Sequence, residues 1–172
     1  MKSKLPWIIL VLAALVFVIT HFTWLPGLPE RLATHFDGAG KANGWMTKSQ
    51  HGAFMLLFGL GVPALFLVLC WSLRYFSPTL VNLPNPQYWR APENFPMACE
   101  IMFQWAQWEA AATLIWMTFL NLLMVQANQS SPPHLSSAGI WTLAGFFLAF
   151  TVGSIVWLLL RFKRTTAPLT SP

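Results

Sequence analysis

No charged residue occurs in the 51 positions between Glu109 and Arg161, and none occurs between Lys4 and Glu30. Charged residues make up 9% of the 172-residue chain and hydrophobic residues 56%, whereas a soluble domain carries about 25% charged residues. A soluble chain with such long apolar runs would expose large adhesive patches. Because roughly 20 apolar helical residues cross the hydrocarbon core of a bilayer, these runs predict an all-α integral membrane protein.

Four segments are predicted to span the bilayer, at about residues 5–25, 52–73, 110–125 and 138–160. The first exceeds the roughly 7–15 apolar residues of a signal peptide, and no small-residue cleavage site follows it, so we interpret it as an uncleaved anchor. Pro63 is expected to kink the second span. A proline pair among Ser and Asn residues separates the last two spans. The whole chain, 1–172, is predicted to form one membrane domain.

Lysine and arginine residues predict the orientation of these spans. With the N-terminus inside, seven of them lie on the inner side and three on the outer side. Since basic residues are enriched on the cytoplasmic side, both termini are predicted to be cytoplasmic. Residues 26–51 then form an outer loop and residues 76–108 an inner loop, while residues 165–172 are expected to be a disordered tail.

The outer loop has the composition of a small β-hairpin. Residues 33–37 and 43–47 alternate weakly in polarity around a turn at 38–40, which contains two glycines. An isolated hairpin is marginally stable in water, so we expect it to lie against the helix ends. Phe36 and Trp45 would supply its apolar face.

The inner loop combines an extended segment with an amphipathic helix. Three prolines restrict residues 82–94 to extended conformations. A helix can start at Phe95, with Asn94 as its N-cap. Its polar side chains fall on one stripe, which predicts an interfacial helix running into the third span.

Taken together, two motifs resemble the bacterial membrane domain of unknown function DUF1648. The outer motif reads Leu-Pro-x-Arg, then His-Phe-Asp, Gly and a closing Lys, and it comprises Leu28, Pro29, Arg31, His35, Phe36, Asp37, Gly40 and Lys48. The inner motif is rich in Asn, Pro and aromatic residues, and it comprises Asn82, Pro84, Asn85, Tyr88, Trp89, Pro92 and Glu93. Except for Leu28, these residues are the candidate binding residues, together with Trp45.

This resemblance implies a protein of the bacterial inner membrane with a role in binding, signalling or peptide immunity. The domain precedes a second membrane region in SdpI-type proteins, which protect a producing cell from a secreted toxic peptide and signal to a repressor. By this hypothesis the outer loop is a sensor and the inner loop a reporter. The partners would be the bilayer and a membrane-active peptide or another membrane protein.

Two alternative functions follow from other residues. Pro63 and the polar third span suggest a transporter subunit or accessory protein. All four histidines fall on the predicted outer side, which suggests a metal- or pH-responsive protein, with His35, Asp37 and His51 as possible ligands. No charged or histidine residue is expected in the middle of a span, since His21 and Glu109 lie near helix ends, and this argues against a proton-coupled pump.

Several classes of function are not expected. The sequence has no nucleophile paired with a base, no phosphate-binding loop and no cofactor motif, so we expect neither an enzyme nor a bound cofactor. Basic residues do not form a patch suited to nucleic acid. Within the spans, Thr151 and Ser154 are expected to bridge helices, and Gly145 and Gly153 form a small-residue face suited to close packing or a homodimer.

Overall fold

A computed structural model describes residues 4–163 of the chain. It contains four helices that are long and apolar enough to cross a membrane. They are α1 (Leu5–Trp24), α2 (Lys48–Ser72), α4 (Phe95–Gln129) and α5 (Ser137–Lys163). The predicted all-α, four-span architecture is therefore confirmed, and the chain is a multi-pass membrane protein. The predicted tail at 165–172 lies outside the described residues.

Helix α4 is the central element of the fold. It packs against α1, α2 and α5, whereas α1 and α2 touch each other only slightly. The sequence predicted a short interfacial helix leading into a third span, and the two are one continuous helix of 35 residues. At a rise of 1.5 Å per residue α4 is about 50 Å long, so it extends well beyond a hydrocarbon core of about 30 Å.

The hairpin consists of β1 (Arg31–Phe36) and β2 (Ala42–Thr47), which pair antiparallel with Leu32 opposite Met46. We call the side of the molecule that carries this hairpin the hairpin end. The turn contains Gly40 at φ +81°, a left-handed conformation that glycine adopts without strain. The register shifts on either side of His35, which marks a local irregularity in β1.

The junction between β2 and α2 has a complete capping box. Thr47 accepts a hydrogen bond from the backbone N–H of Gln50, and the Gln50 side chain accepts one from the Thr47 N–H at 3.0 Å. Lys48 forms an ion pair with Glu30 at 2.9 Å, just before β1. These contacts fix the direction in which the hairpin leaves the membrane helix.

The opposite side of the molecule, which we call the loop end, is formed by the segment between α2 and α4. This segment contains the one-turn helix α3 (Pro86–Trp89), preceded by Asn85 in the left-handed region at φ 54°. Arg90 donates two hydrogen bonds to the carbonyl of Val81, which closes the segment on itself. Asn94 precedes α4 as predicted but does not cap it, because its side chain donates to the Tyr88 carbonyl at 3.1 Å.

The buried core contains a tight contact between a phenylalanine ring and a glycine of the neighbouring helix. Phe17 of α1 is fully buried there, and its ring fills the space beside Gly59 of α2. The sequence pointed instead to Gly145 and Gly153 as the close-packing face. Within residues 4–163, neither of these glycines has another side chain or helix within 4 Å of its Cβ position.

Candidate functional site

The hairpin is attached to the end of α4 by a pair of side-chain hydrogen bonds. The Asn128 side chain accepts from the N–H of Ala33 at 2.7 Å and donates to the carbonyl of the same residue at 2.9 Å. The Asn128 amide thus supplies the acceptor and the donor that a neighbouring strand would offer to Ala33 of β1. Leu32 of the same strand is fully buried and contributes to a small apolar cluster with Leu28 and Val125.

The hairpin turn makes a second attachment, to the connection between α4 and α5. The Gly40 carbonyl accepts from the N–H of Leu135 at 2.9 Å, and Lys41 forms a β-bridge with His134. A Cβ atom at Gly40 would overlap the Leu135 carbonyl and lie 2.9 Å from Cε1 of His134. Gly40 is therefore required both for the turn and for this contact.

Two other residues of the outer motif have structural roles, and a third lies exposed. Asp37 accepts hydrogen bonds from the N–H groups of Ala39 and Lys41, both at 2.9 Å, and so closes the turn. Lys48 holds the start of α2 through Glu30. Pro29 lies exposed in the short connection before β1.

The remaining members of the predicted outer set form an accessible surface. Arg31, His35 and Trp45 are exposed, and Phe36 is half-buried. Gly44 lies opposite His35, and a Cβ there would come within 3.0 Å of the imidazole Cδ2 atom. The His35 ring therefore lies across the backbone of β2. We call Arg31, His35 and Trp45 the hairpin surface.

At the loop end the two aromatic residues of the inner motif hold the end of α5. The buried Trp89 indole N–H donates to the Phe162 carbonyl at 2.7 Å. The two rings meet edge to face with 5.1 Å between their centroids, and Tyr88 packs edge to face on Trp89 at 5.0 Å. Phe95, the first residue of α4, belongs to the same apolar cluster. The loop therefore joins the start of α4 to the end of α5.

The other residues of the predicted inner set lie around this aromatic contact. Pro84 is half-buried, and the remaining members are exposed, namely Asn82, Asn85, Pro92 and Glu93. The left-handed Asn85 starts α3, so its role is in the backbone turn. The exposed members provide the polar surface of the loop end.

The predicted metal ligands do not come together. No group of three or more His, Cys, Asp or Glu side chains suited to a metal ion occurs between residues 4 and 163. The reason is that Asp37 is used in the hairpin turn, while His51 is buried in the bundle. His35 and His134 are exposed, so the four histidines do not form one set.

A second buried histidine lies near His51. His21 is 1% exposed, and neither of its ring nitrogens has a hydrogen-bond partner among the described residues; the same holds for Nε2 of His51. Such unpaired buried polar atoms are uncommon in folded proteins. Sequence analysis placed His21 at an interface, and a single apolar run gave no sign that it faces the protein interior.

Glu109 also differs from its predicted position. The sequence placed it at the start of a span, and it lies fourteen residues inside α4, where it is 6% exposed. The Thr151 hydroxyl of α5 donates to one carboxylate oxygen at 3.2 Å, and Ser154 hydrogen-bonds to the other. The two hydroxyls connect α5 to α4, and the group they contact is a buried carboxylate inside a helix long enough to cross a membrane.

Two of the contacts described above were missed by sequence analysis for different reasons. Asn128 is one of several polar residues in the turn-forming stretch after the third span, and nothing in the sequence distinguishes it. The capping box, in contrast, has a readable signature, because Thr47 and Gln50 stand in the Ser/Thr-x-x-Glu/Gln pattern.

Comparison with known proteins finds a family for the first part of the chain. Residues 8–60, which include most of α1, the hairpin and the first half of α2, match the family model described as domain of unknown function (DUF1648). No curated protein and no solved structure matches the chain. Residues 8–60 of this membrane protein are therefore recognised as a DUF1648 domain.

Proposed function

We propose that this protein binds a membrane-active peptide at the hairpin surface and transmits the binding event to the loop end through α4. The single observation that carries the proposal is that the hairpin and the inner motif are attached to opposite ends of one helix. Asn128 attaches the hairpin near the end of α4, and Phe95 begins α4 within the apolar cluster of the loop end. The proposal involves no catalysis.

The chemistry of the hairpin surface favours an amphipathic peptide as the ligand. Arg31 offers a planar cation for carboxylates, and His35 offers a ring nitrogen for hydrogen bonding. Trp45, with 43% of its surface exposed, offers a large apolar face. Tryptophan is typical of the membrane interface. A peptide lying in that interface would meet all three groups.

The location proposed is the bacterial inner membrane, with the hairpin outside and both termini in the cytoplasm. The distribution of basic residues supports this orientation. A peptide arriving from outside would then reach the hairpin surface first. The loop end, with its exposed polar residues, would face cytoplasmic partners. A homodimer through the free glycine face of α5 stays a prediction.

Transmission requires that the hairpin and α4 move together. Helix α2 connects the two ends along the chain, and α4 is attached to both as well. A ligand shifts such an element only by binding its two states with different affinity. The two Asn128 hydrogen bonds, worth about 1 kcal/mol each, are the polar link between hairpin and helix, beside the apolar contact of Leu32 with Val125.

Asn128→Ala is therefore expected to separate binding from response. A deletion strain of the source bacterium is first screened against a panel of membrane-active peptides and then complemented with each variant. We expect Asn128→Ala to accumulate normally and to bind the active peptide within about threefold of wild type, because the hairpin surface is unchanged. It should nevertheless lose most of the protection. Protein level by immunoblot and peptide binding to purified protein in nanodiscs provide the readouts.

Gln129→Ala is the matched control, because this exposed neighbour removes a similar amide without touching the hairpin. It should protect like wild type. Full protection by Asn128→Ala would contradict the transmission route. A deletion strain with unchanged sensitivity to every peptide in the panel would contradict the peptide-binding function itself.

A further inference from the structure

We propose that a cavity beside Glu109, in the middle of the membrane region, binds a small organic ammonium ion with an apolar body. The cavity has a volume of about 300 Å³ and lies between α2, α4 and α5. This site is distinct from the hairpin surface and from the loop end, so it extends beyond the proposed peptide-binding function. Its chemistry follows from one carboxylate and the apolar groups around it.

The Glu109 carboxylate has acceptor capacity that the protein does not fill. A carboxylate offers about four acceptor positions. Among residues 4–163, only the hydroxyls of Thr151 and Ser154 donate to it. The single Ser154 hydrogen is also shared with the Thr151 carbonyl, at 2.8 Å. At least two acceptor positions of the carboxylate therefore remain for a bound group.

No positive side chain neutralises this carboxylate. Between residues 4 and 163, no lysine, arginine or histidine forms an ion pair with Glu109. Withdrawing an ion from water costs several kcal/mol unless a partner compensates it. Ionisable groups within a membrane are accordingly rare, and they mark functional sites by default. A bound cation would supply the missing partner.

The site lies inside the hydrocarbon region. Thr151 is about 21 Å along the helix axis from Ser137, and Ser154 is about 14 Å from Lys163. Lipid headgroups lie outside a hydrocarbon core of about 30 Å, so neither a headgroup nor bulk water is placed at this depth. The occupant must therefore be a cation that also tolerates an apolar environment.

The rest of the lining selects for such a cation. Phe66 and Trp105 line the cavity and meet edge to face, with 5.4 Å between centroids. Aromatic faces beside a carboxylate favour ammonium groups that carry carbon substituents. The Trp105 N–H donates to the Ser154 hydroxyl at 3.0 Å. This hydrogen bond holds the indole in place, and its N–H does not occupy an acceptor position of the Glu109 carboxylate.

An entrance from the lipid lies between α2 and α5. Val62 and Ile155 line the cavity and are also 46% and 40% exposed at the outside of the bundle. Helix α5 packs against α4 and hardly touches α2, which leaves this side open. Pro63 borders the cavity within α2 and removes one backbone N–H there. An amphiphilic cation can thus enter laterally from the bilayer.

Binding of benzyltrimethylammonium tests this assignment. Protein in phosphatidylcholine nanodiscs is titrated with the radiolabelled ion by equilibrium dialysis, and empty nanodiscs give the background. Wild type should bind saturably, and Glu109→Gln should weaken binding at least 10-fold because the glutamine amide keeps the size but not the charge. The uncharged isostere neopentylbenzene should not compete.

Two further variants separate charge from shape. Ile155→Trp narrows the entrance without altering the carboxylate, and it should also weaken binding at least 10-fold. Glu100→Gln removes the same charge from the same helix but away from the cavity, and it should change binding less than twofold. Size-exclusion profiles and thermal unfolding check that each variant is folded.

Absence of saturable binding by wild type would overturn the site. Equal binding by wild type and Glu109→Gln would overturn the role of the carboxylate. If Glu109→Gln does not fold, unchanged binding by Ile155→Trp would still overturn the cavity as the location. None of these results bears on peptide binding at the hairpin, so the two proposals fail independently.

Discussion

Trp89→Ala is expected to lower the stability of the loop end more than any other substitution in the inner motif. It removes a buried indole, the hydrogen bond to the Phe162 carbonyl and the edge-to-face contact with the Phe162 ring. Truncation of a buried tryptophan to alanine costs about 3–5 kcal/mol. For a chain of this size we expect the Tm in detergent to fall by roughly 10 °C.

Graded substitutions separate the parts of this effect. Trp89→Phe keeps an aromatic ring and removes the hydrogen bond, so it should cost only about 1–2 kcal/mol. Trp141→Ala removes a tryptophan that is 72% exposed on α5 and should change the Tm little. Circular dichroism or a dye-based melt provides the measurement. A Trp89→Ala variant that melts like wild type would show that the loop does not hold α5.

Gly59→Ala is the second substitution with a large expected effect. A Cβ atom there would overlap the Phe17 ring, with Cε1 only 2.6 Å away. Phe17 is fully buried in the contact between α1 and α2, so its ring has no free space to enter. Overpacking of this kind costs about 1–3 kcal/mol or more.

A neighbouring glycine and a second substitution make this test specific. Gly61 is two positions away in α2, and its nearest atom would be 3.9 Å from a new Cβ. Gly61→Ala should therefore be neutral or slightly stabilising, because alanine favours the helix. Phe17→Leu should recover part of the stability of Gly59→Ala by shortening the buried side chain. Equal melting of the Gly59→Ala and Gly61→Ala variants would contradict the close contact.

The four spans could be predicted because the physical cause acts locally. Apolar runs of sufficient length must leave water, and charges mark where they end. The hairpin was predictable for the same reason, since Gly40 and Asp37 are the residue types that the turn requires. In both cases a short stretch of sequence contains all the information needed.

The interior polar contacts could not be predicted, because each depends on residues far apart in the chain. The carboxylate of Glu109 meets Thr151 and Ser154 on a different helix. Glu109 also interrupts the apolar pattern of α4, which is why the sequence placed it near a helix end rather than inside the helix. The role of Asn128 depends on Ala33, 95 residues earlier. The spacing of apolar residues within one helix does not indicate which distant residues its polar side chains will contact.

Transmission from the hairpin to the inner motif requires that the two lie on opposite faces of the membrane, joined by α4. Cysteine labelling with an impermeant maleimide tests this requirement. The native Cys70 and Cys99 are buried, so both can remain in place while Ala39→Cys and Gln87→Cys introduce exposed thiols in the turn and the loop. Intact cells should label Ala39→Cys, and Gln87→Cys should react only after permeabilisation. Labelling of both positions in intact cells would place the two motifs on one face and contradict the transmembrane route between them.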